Sequence, residues 1–133
     1  MSDAPLSEDE YRAELARTMT EDQLLNAVMG AMRLLGWRVA HFSDSRRVGP
    51  RGQLVGDWKA AGFPDLCAVH PTQARVLFAE LKREKGKVKP AQQAWLDDLA
   101  AVDAEVYLWR PIDWHTGRIE AILRGDDERD CGG

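Results

Sequence analysis

Apolar residues recur at helical spacing first at Leu24, Leu25, Val28, Met32 and Leu35, which predicts a helix over about Glu21 to Leu35. Thr20 is placed to cap its start, Gln23 stands three residues further on, and Gly36 is placed to stop it. A shorter helix is expected within residues 1–19, where Ser7 and Glu10 form a capping box ahead of Tyr11 and Leu15. Trp37 to Phe42 reads as a strand. From Ser43 to Pro64 the periodicity disappears into a stretch with Gly49, Gly52, Gly56, Gly62 and several arginines. A connection this long without its own structure is uncommon unless functional, so the stretch reads as a mobile, basic loop. Two strands follow, Asp65 to His70 and Arg75 to Lys82, joined by the four residues Pro71 to Ala74 as a hairpin. Both of their faces are largely apolar, the pattern of a sheet covered on two sides. Pro90 fits the first turn of a helix that carries Trp95, Leu96, Leu99 and Val102 inward, and Glu105 to Trp109 reads as a last strand. The sequence therefore predicts one α/β domain, in the order helix, strand, hairpin, helix, strand.

The chain of 133 residues is sized for one hydrophobic core, and no apolar run approaches the roughly 18 residues of a membrane span. Residues 1–5 hold no basic stretch leading into an apolar one, so no secretory signal is read and a cytoplasmic location is the default expectation. Cys67 lies in an apolar strand and Cys131 near the end of the chain, which favours two reduced thiols over a disulfide. The net charge of −4 is unevenly spread: residues 1–20 and residues 125–133 each contribute −3, leaving +2 for residues 21–124. Its cations cluster at Arg46, Arg47, Arg51 and Lys59 and again at Lys82, Arg83, Lys85, Lys87 and Lys89. A basic core between acidic ends keeps a nucleic-acid partner open where the net charge alone would argue against one.

If Pro71 to Ala74 form the hairpin loop, His70 pairs with Arg75, and counting back along both strands sets Asp65 across from Glu80. Opposite residues of an antiparallel pair share a face, with Cβ atoms about 4.5–5.5 Å apart. Lys82, two residues past Glu80, lies on the same face because strand side chains alternate. Two carboxylates about 4 Å apart repel by roughly 4 kcal/mol at an effective dielectric near 20, a large part of a small domain's stability. Lys82 offsets part of that, as would a shared proton. A hard divalent cation offsets it while supplying a function, and magnesium suits a site of one or two carboxylates that leaves room for water and a phosphate oxygen. The plain alternative is an exposed ion pair at a strand end, with Asp65 as a turn residue.

Gly62-Phe63-Pro64-Asp65, Glu80-Leu81-Lys82, Gly86-Lys87 and Gln92 together resemble the VRR-NUC family of the PD-(D/E)XK nuclease superfamily, over roughly Thr20 to Arg110. The resemblance implies a restriction-endonuclease-like fold, a mixed central sheet flanked by helices. It implies a magnesium- or manganese-dependent DNA endonuclease in which Asp65 and Glu80 bind the metal and Lys82 assists the attacking water. Glu21, at the start of the long helix, matches a further metal-site glutamate of the family, and Gln92 matches a glutamine after the catalytic strand. Glutamate is also favoured in a first helical turn by the macrodipole, and Gln92 shares a face with Trp95, Leu96 and Leu99, where a buried amide needs partners. Stand-alone relatives imply a junction or flap as substrate and a homodimer as assembly, with no membrane and no small-molecule cofactor. A DNA-binding module that does not cut, or that cuts only with a partner protein, is the competing reading.

On this reading residues 1–19 are an N-terminal extension, residues 20–124 the nuclease-like domain and residues 125–133 an acidic tail. Arg46, Arg47, Arg51 and Lys59 of the glycine-rich loop and Lys85, Lys87 and Lys89 after the catalytic strand are the candidates for phosphate contact. His41 and Asp44 follow the first strand closely enough to approach the site, although a lone histidine there is more often a packing residue. Trp58, between Asp57 and Lys59, is the one tryptophan considered for base stacking; Trp37, Trp95 and Trp109 fall on core positions.

Overall fold

The computed structural model describes residues 4–42, 47–48, 50–52, 54–55 and 60–126, the four residues 47, 48, 54 and 55 by their backbone alone. Ser7 caps the first helix, α1 (Glu8–Thr18): its hydroxyl accepts from the Glu10 amide, and the Glu10 carboxylate accepts from the Ser7 amide. Thr20 and Gln23 make the same reciprocal pair at the start of α2 (Glu21–Leu34). Gly36, at φ +93°, ends α2 in the left-handed conformation that favours glycine, and a Cβ there would meet His70 Nε2 at 2.9 Å.

Four strands form the central sheet, in the order β1 (Arg38–His41), β4 (Leu66–His70), β5 (Arg75–Leu81), β6 (Glu105–Trp109). β1, β4 and β5 are antiparallel, and β6 runs parallel to β5 after the crossover through α3 (Pro90–Ala101). The sheet is therefore mixed and flanked by helices, as expected. One face carries Leu66, Ala68, Leu77, Ala79, Leu81, Tyr107 and Trp109 into a core closed by Leu24, Val28 and Met32 of α2 and by Ile119, Ile122 and Leu123 of α5 (Arg118–Arg124). Fully burying an aliphatic side chain of this size contributes about 1.5–3 kcal/mol, so this face carries most of the stability.

Three expectations need correction. The hairpin is not covered evenly: on the second face Val69 and Val76 keep 36% and 46% of their surface, because α3 shelters only part of that face. Val102 does not point inward; it is the residue after α3, 73% exposed. The stretch from Ser43 to Pro64 is not wholly without regular structure, since β2 (Arg47–Val48) pairs with β3 (Leu54–Val55) in a small antiparallel sheet. Two helices were not anticipated: α5 and, before it, α4 (Pro111–His115), against which α1 packs. Among the described residues no helix is long and apolar enough to cross a membrane.

Candidate functional site

The hairpin register is the one the sequence predicts, from His70 opposite Arg75 down to Leu66 opposite Ala79. Continuing it by one step places Asp65 across from Glu80, although Asp65 itself lies just before β4. The Asp65 carboxylate does more than face its neighbour: Oδ2 accepts from the Leu81 amide at 2.9 Å, and the Asp65 carbonyl accepts from the Phe42 amide at 2.8 Å. Asp65 thus extends the pairing with β1 through its carbonyl, and the Leu81 amide of β5 orients its side chain.

Glu80 is 2% exposed. Gln92, in the first turn of α3, donates from Nε2 to Glu80 Oε1 at 3.1 Å, and its own Oε1 accepts from the Lys89 amide at 2.9 Å. The second bond fixes which way the amide points, so the nitrogen must face the carboxylate. Lys82 Nζ lies 3.9 Å from Glu80 Oε1, with the lysine side chain 12% exposed. Burial of three polar groups this close is costly unless they are mutually satisfied, and the arrangement is organised around the Glu80 carboxylate.

These residues floor and wall an open cavity of about 530 Å³, lined also by Glu21, Asp22, His41, Gly62, Leu81, Lys89 and Ala91. Glu21 remains an exposed residue, yet its pKa is raised above the ordinary carboxylate value, chiefly by desolvation at the cavity wall. Lys82 opposes that shift, Asp65 and Asp22 add to it, and Arg83 again opposes it. Glu21 therefore senses the charges of Asp65 and Lys82 from across the cavity. Gly62 explains how α3 comes so close: at φ +83°, a Cβ on it would lie 2.4–2.6 Å from the Ala91 carbonyl and the Gln92 amide nitrogen. With glycine there, the helix start that carries Gln92 can rest against the segment leading into Asp65.

Of the sequence candidates, Glu21, Asp65, Glu80, Lys82, Lys89 and Gln92 share this cavity, and His41 joins them. Lys85 and Lys87 stand exposed on the connection outside it, and Arg51 is exposed in a turn. Arg47 is described only by its backbone in β2; Asp44, Arg46, Trp58 and Lys59 lie outside the described residues. Sequence reasoning missed Asp22, Ala61 and Ala91 as lining residues, and treated Gly62 only as part of a motif. Asp22 stood next to Glu21 at a helix start; the two alanines carried no signal.

The donor set is oxygen from carboxylates, the chemistry of a hard divalent cation. Among the described residues no three His, Cys, Asp or Glu side chains gather into one closed ligand group, Glu21, Asp65 and Glu80 included. The residues present fit a cation held by one or two carboxylates and otherwise by water and substrate, as magnesium is, and not an all-protein cage.

Comparison with known proteins gives two matches. The family described as VRR-NUC domain matches residues 7–110, more than half of the chain. The chain is 31% identical over 55 residues to the Fanconi-associated nuclease 1 homolog of Schizosaccharomyces pombe, a region that is 40% of this chain and 8% of that relative. No solved structure matches.

Proposed function

The chain belongs to the VRR-NUC domain family, and from that premise we propose that it is a divalent-metal-dependent DNA endonuclease that hydrolyses phosphodiester bonds. The observation that carries the reading is Glu80: a carboxylate 2% exposed, at the floor of an open cavity, with Asp65 beside it and Lys82 Nζ at 3.9 Å. The partial homology to a protein named as a nuclease supports the same reading.

Asp65 and Glu80 would hold magnesium or manganese, and Glu21 would face it across the cavity. Bound there, the cation supplies stabilisation of the charge that builds on the phosphate oxygens and activation of water. Asp65 is kept in place by the Leu81 amide and Glu80 by the Gln92 amide, so neither carboxylate has to be reoriented when substrate arrives. The Lys82 amine would orient the attacking water or help to take its proton. Lys89 at the cavity rim, with Lys85 and Lys87 outside it, contacts backbone phosphates without reading base sequence. Substrate choice then rests on DNA shape, and a junction or flap is the preferred target.

Incubation of purified protein with a four-way junction, a flap and a linear duplex tests the proposal, with magnesium or with a chelator. Cleavage in magnesium, lost in chelator and lost in Glu80→Gln, is the expected result. Tight DNA binding in magnesium with every strand intact would instead identify a non-cleaving binding module.

A further inference from the structure

Residues 82–89, between β5 and α3, hold five cations, Lys82, Arg83, Lys85, Lys87 and Lys89, with Glu84 between them. A short connection with this charge repels itself and has every reason to be a solvated, variable turn. It is instead tied down from one residue. Arg110, immediately after β6, donates from Nη1 to three carbonyls of the connection: Arg83 at 2.7 Å, Glu84 at 3.2 Å and Gly86 at 2.8 Å. The tie is reciprocal, because Glu84 Oε2 accepts from the Ile112 amide at 3.1 Å in the first turn of α4. Around these bonds the Gly86 amide donates to the Arg83 carbonyl at 3.0 Å, and the Lys82 amide to the Trp109 carbonyl at 3.1 Å.

Drawing three carbonyl oxygens onto one guanidinium nitrogen turns the main-chain acceptors of the segment toward Arg110. The side chains of Lys85 and Lys87 remain exposed, and Lys89 reaches the cavity rim. The clamp supplies positive charge within the protein to the very atoms that would otherwise repel an incoming phosphate, namely carbonyl oxygens. It also anchors the connection to α4 and hence to the helical layer behind the sheet.

We propose that Arg110 is a positioning residue for nucleic-acid binding: its clamp on the carbonyls of residues 83–86 pre-forms the lysine-bearing connection for phosphate contact. This rests on the nuclease reading of the cavity and adds to it a residue that touches neither metal nor substrate. Arg110→Met removes the donors. The connection must then be ordered at the moment of binding, and the Kd for DNA rises by about tenfold, the scale set by immobilising a few side chains and backbone torsions. Because the lysines still meet the same phosphates once bound, the slope of log Kd against log salt stays as in the wild type. That separates positioning from direct contact, in which losing one phosphate partner would flatten the slope by about 0.9 on duplex DNA. Arg110→Lys, with three ammonium protons for the same three carbonyls, restores most of the affinity.

The experiment titrates a fluorescent DNA duplex with the wild type, Arg110→Met, Arg110→Lys and Lys87→Gln/Lys89→Gln over a range of salt. Amide exchange of residues 83–87 and melting temperature are followed alongside. The expected pattern for Arg110→Met is a folded protein, faster exchange in residues 83–87, weaker binding at unchanged salt slope, and KM raised by more than kcat falls. The double lysine variant should instead flatten the slope. Unchanged affinity in a folded Arg110→Met, or a flattened slope, overturns the positioning role while leaving the nuclease reading intact. A wild type that neither binds nor cuts DNA defeats that reading, and this inference with it.

Discussion

A glutamate is buried near each end of the β4–β5 hairpin, Glu105 of β6 toward the turn and Glu80 of β5 at the other end, and their surroundings differ. At the turn end Glu105, 8% exposed, receives both arms of Arg75, one through Nε at 3.1 Å and one through Nη2. It also accepts from the Tyr107 hydroxyl at 2.9 Å. Arg75 spends its remaining nitrogen on Gln73 and on the Ile122 carbonyl, and its guanidinium lies 4.8 Å from the centre of the Trp37 ring. His70 closes the same region: its Nδ1 accepts from the Gln73 amide, so Nε2 carries the proton donated to the Leu35 carbonyl. At the open end Glu80 is still more buried, yet its ion pair with Lys82 is 3.9 Å long and its Gln92 hydrogen bond brings no charge. A buried carboxylate that serves the fold is neutralised by a planar, bidentate cation. At Glu80 the named contacts are a neutral amide and a more distant ammonium, an environment that orients the carboxylate toward the cavity.

The sharpest way to break that contrast is to remove the charge at each end by the same change. Glu80→Gln should lower magnesium-dependent cleavage by about 10³-fold or more, the rate equivalent of several kcal/mol of lost cation-borne stabilisation. Its apo melting temperature should not fall if, without metal, the like charges of Glu80 and Asp65 repel. Glu105→Gln should do the reverse, costing about 3–5 kcal/mol of stability by leaving Arg75 buried without its counter-charge, while the folded fraction cuts at the normal rate. Denaturant titration and single-turnover cleavage of both variants decide the matter. A large stability loss in Glu80→Gln together with retained cleavage would show that both glutamates are structural.

Lys82 sharpens the comparison at the open end. If its amine handles the attacking water, Lys82→Met should keep metal and DNA affinity near normal and lower single-turnover cleavage by about 100-fold, the scale of a lost proton-transfer group. If it only balances carboxylate charge, the same variant should bind the cation more tightly and cut within a few-fold of wild type. Metal titration beside cleavage at saturating metal and DNA distinguishes the two.

How much of this was legible in the sequence also differs between the two ends. The open end could be read because a four-residue turn fixes the register, and the register alone sets Asp65 against Glu80 and Lys82 on the same face. Gln92 came from the family resemblance, and helical periodicity turned it inward, but the Lys89 amide that orients it was not foreseen. The turn-end network was hidden because Arg75, Glu105 and Trp37 come from three separate elements, and no local spacing announces such a meeting. Helices α4 and α5 were missed because five and seven residues are too few to show a period. The uneven cover of the sheet could not be foreseen from strand composition either: Val69 and Val76 read as buried, and only the path of α3 leaves them partly open.

The smallest expected effect belongs to Glu21, and it tests the surroundings of a carboxylate at the wall of the open end. Desolvation first, then Asp65 and Asp22, raise its pKa, against the opposing influence of Lys82 and Arg83. A carboxyl whose folded pKa exceeds its unfolded value favours folding most when protonated. That contribution is complete below the unfolded pKa of about 4.3 and is lost as pH rises through the raised folded value. At neutral pH the charged Glu21 therefore weighs against the apo fold, and Glu21→Gln should melt slightly higher than the wild type there. The gap should shrink as pH falls and vanish near pH 4. Added magnesium should reverse the order at neutral pH, because a cation facing the cavity rewards the carboxylate and not the amide. Melting curves of both proteins at pH 4 and pH 7.5, with and without magnesium, measure all of this. A variant that melts below the wild type at pH 7.5 without metal would contradict the raised pKa of Glu21 and the desolvation behind it.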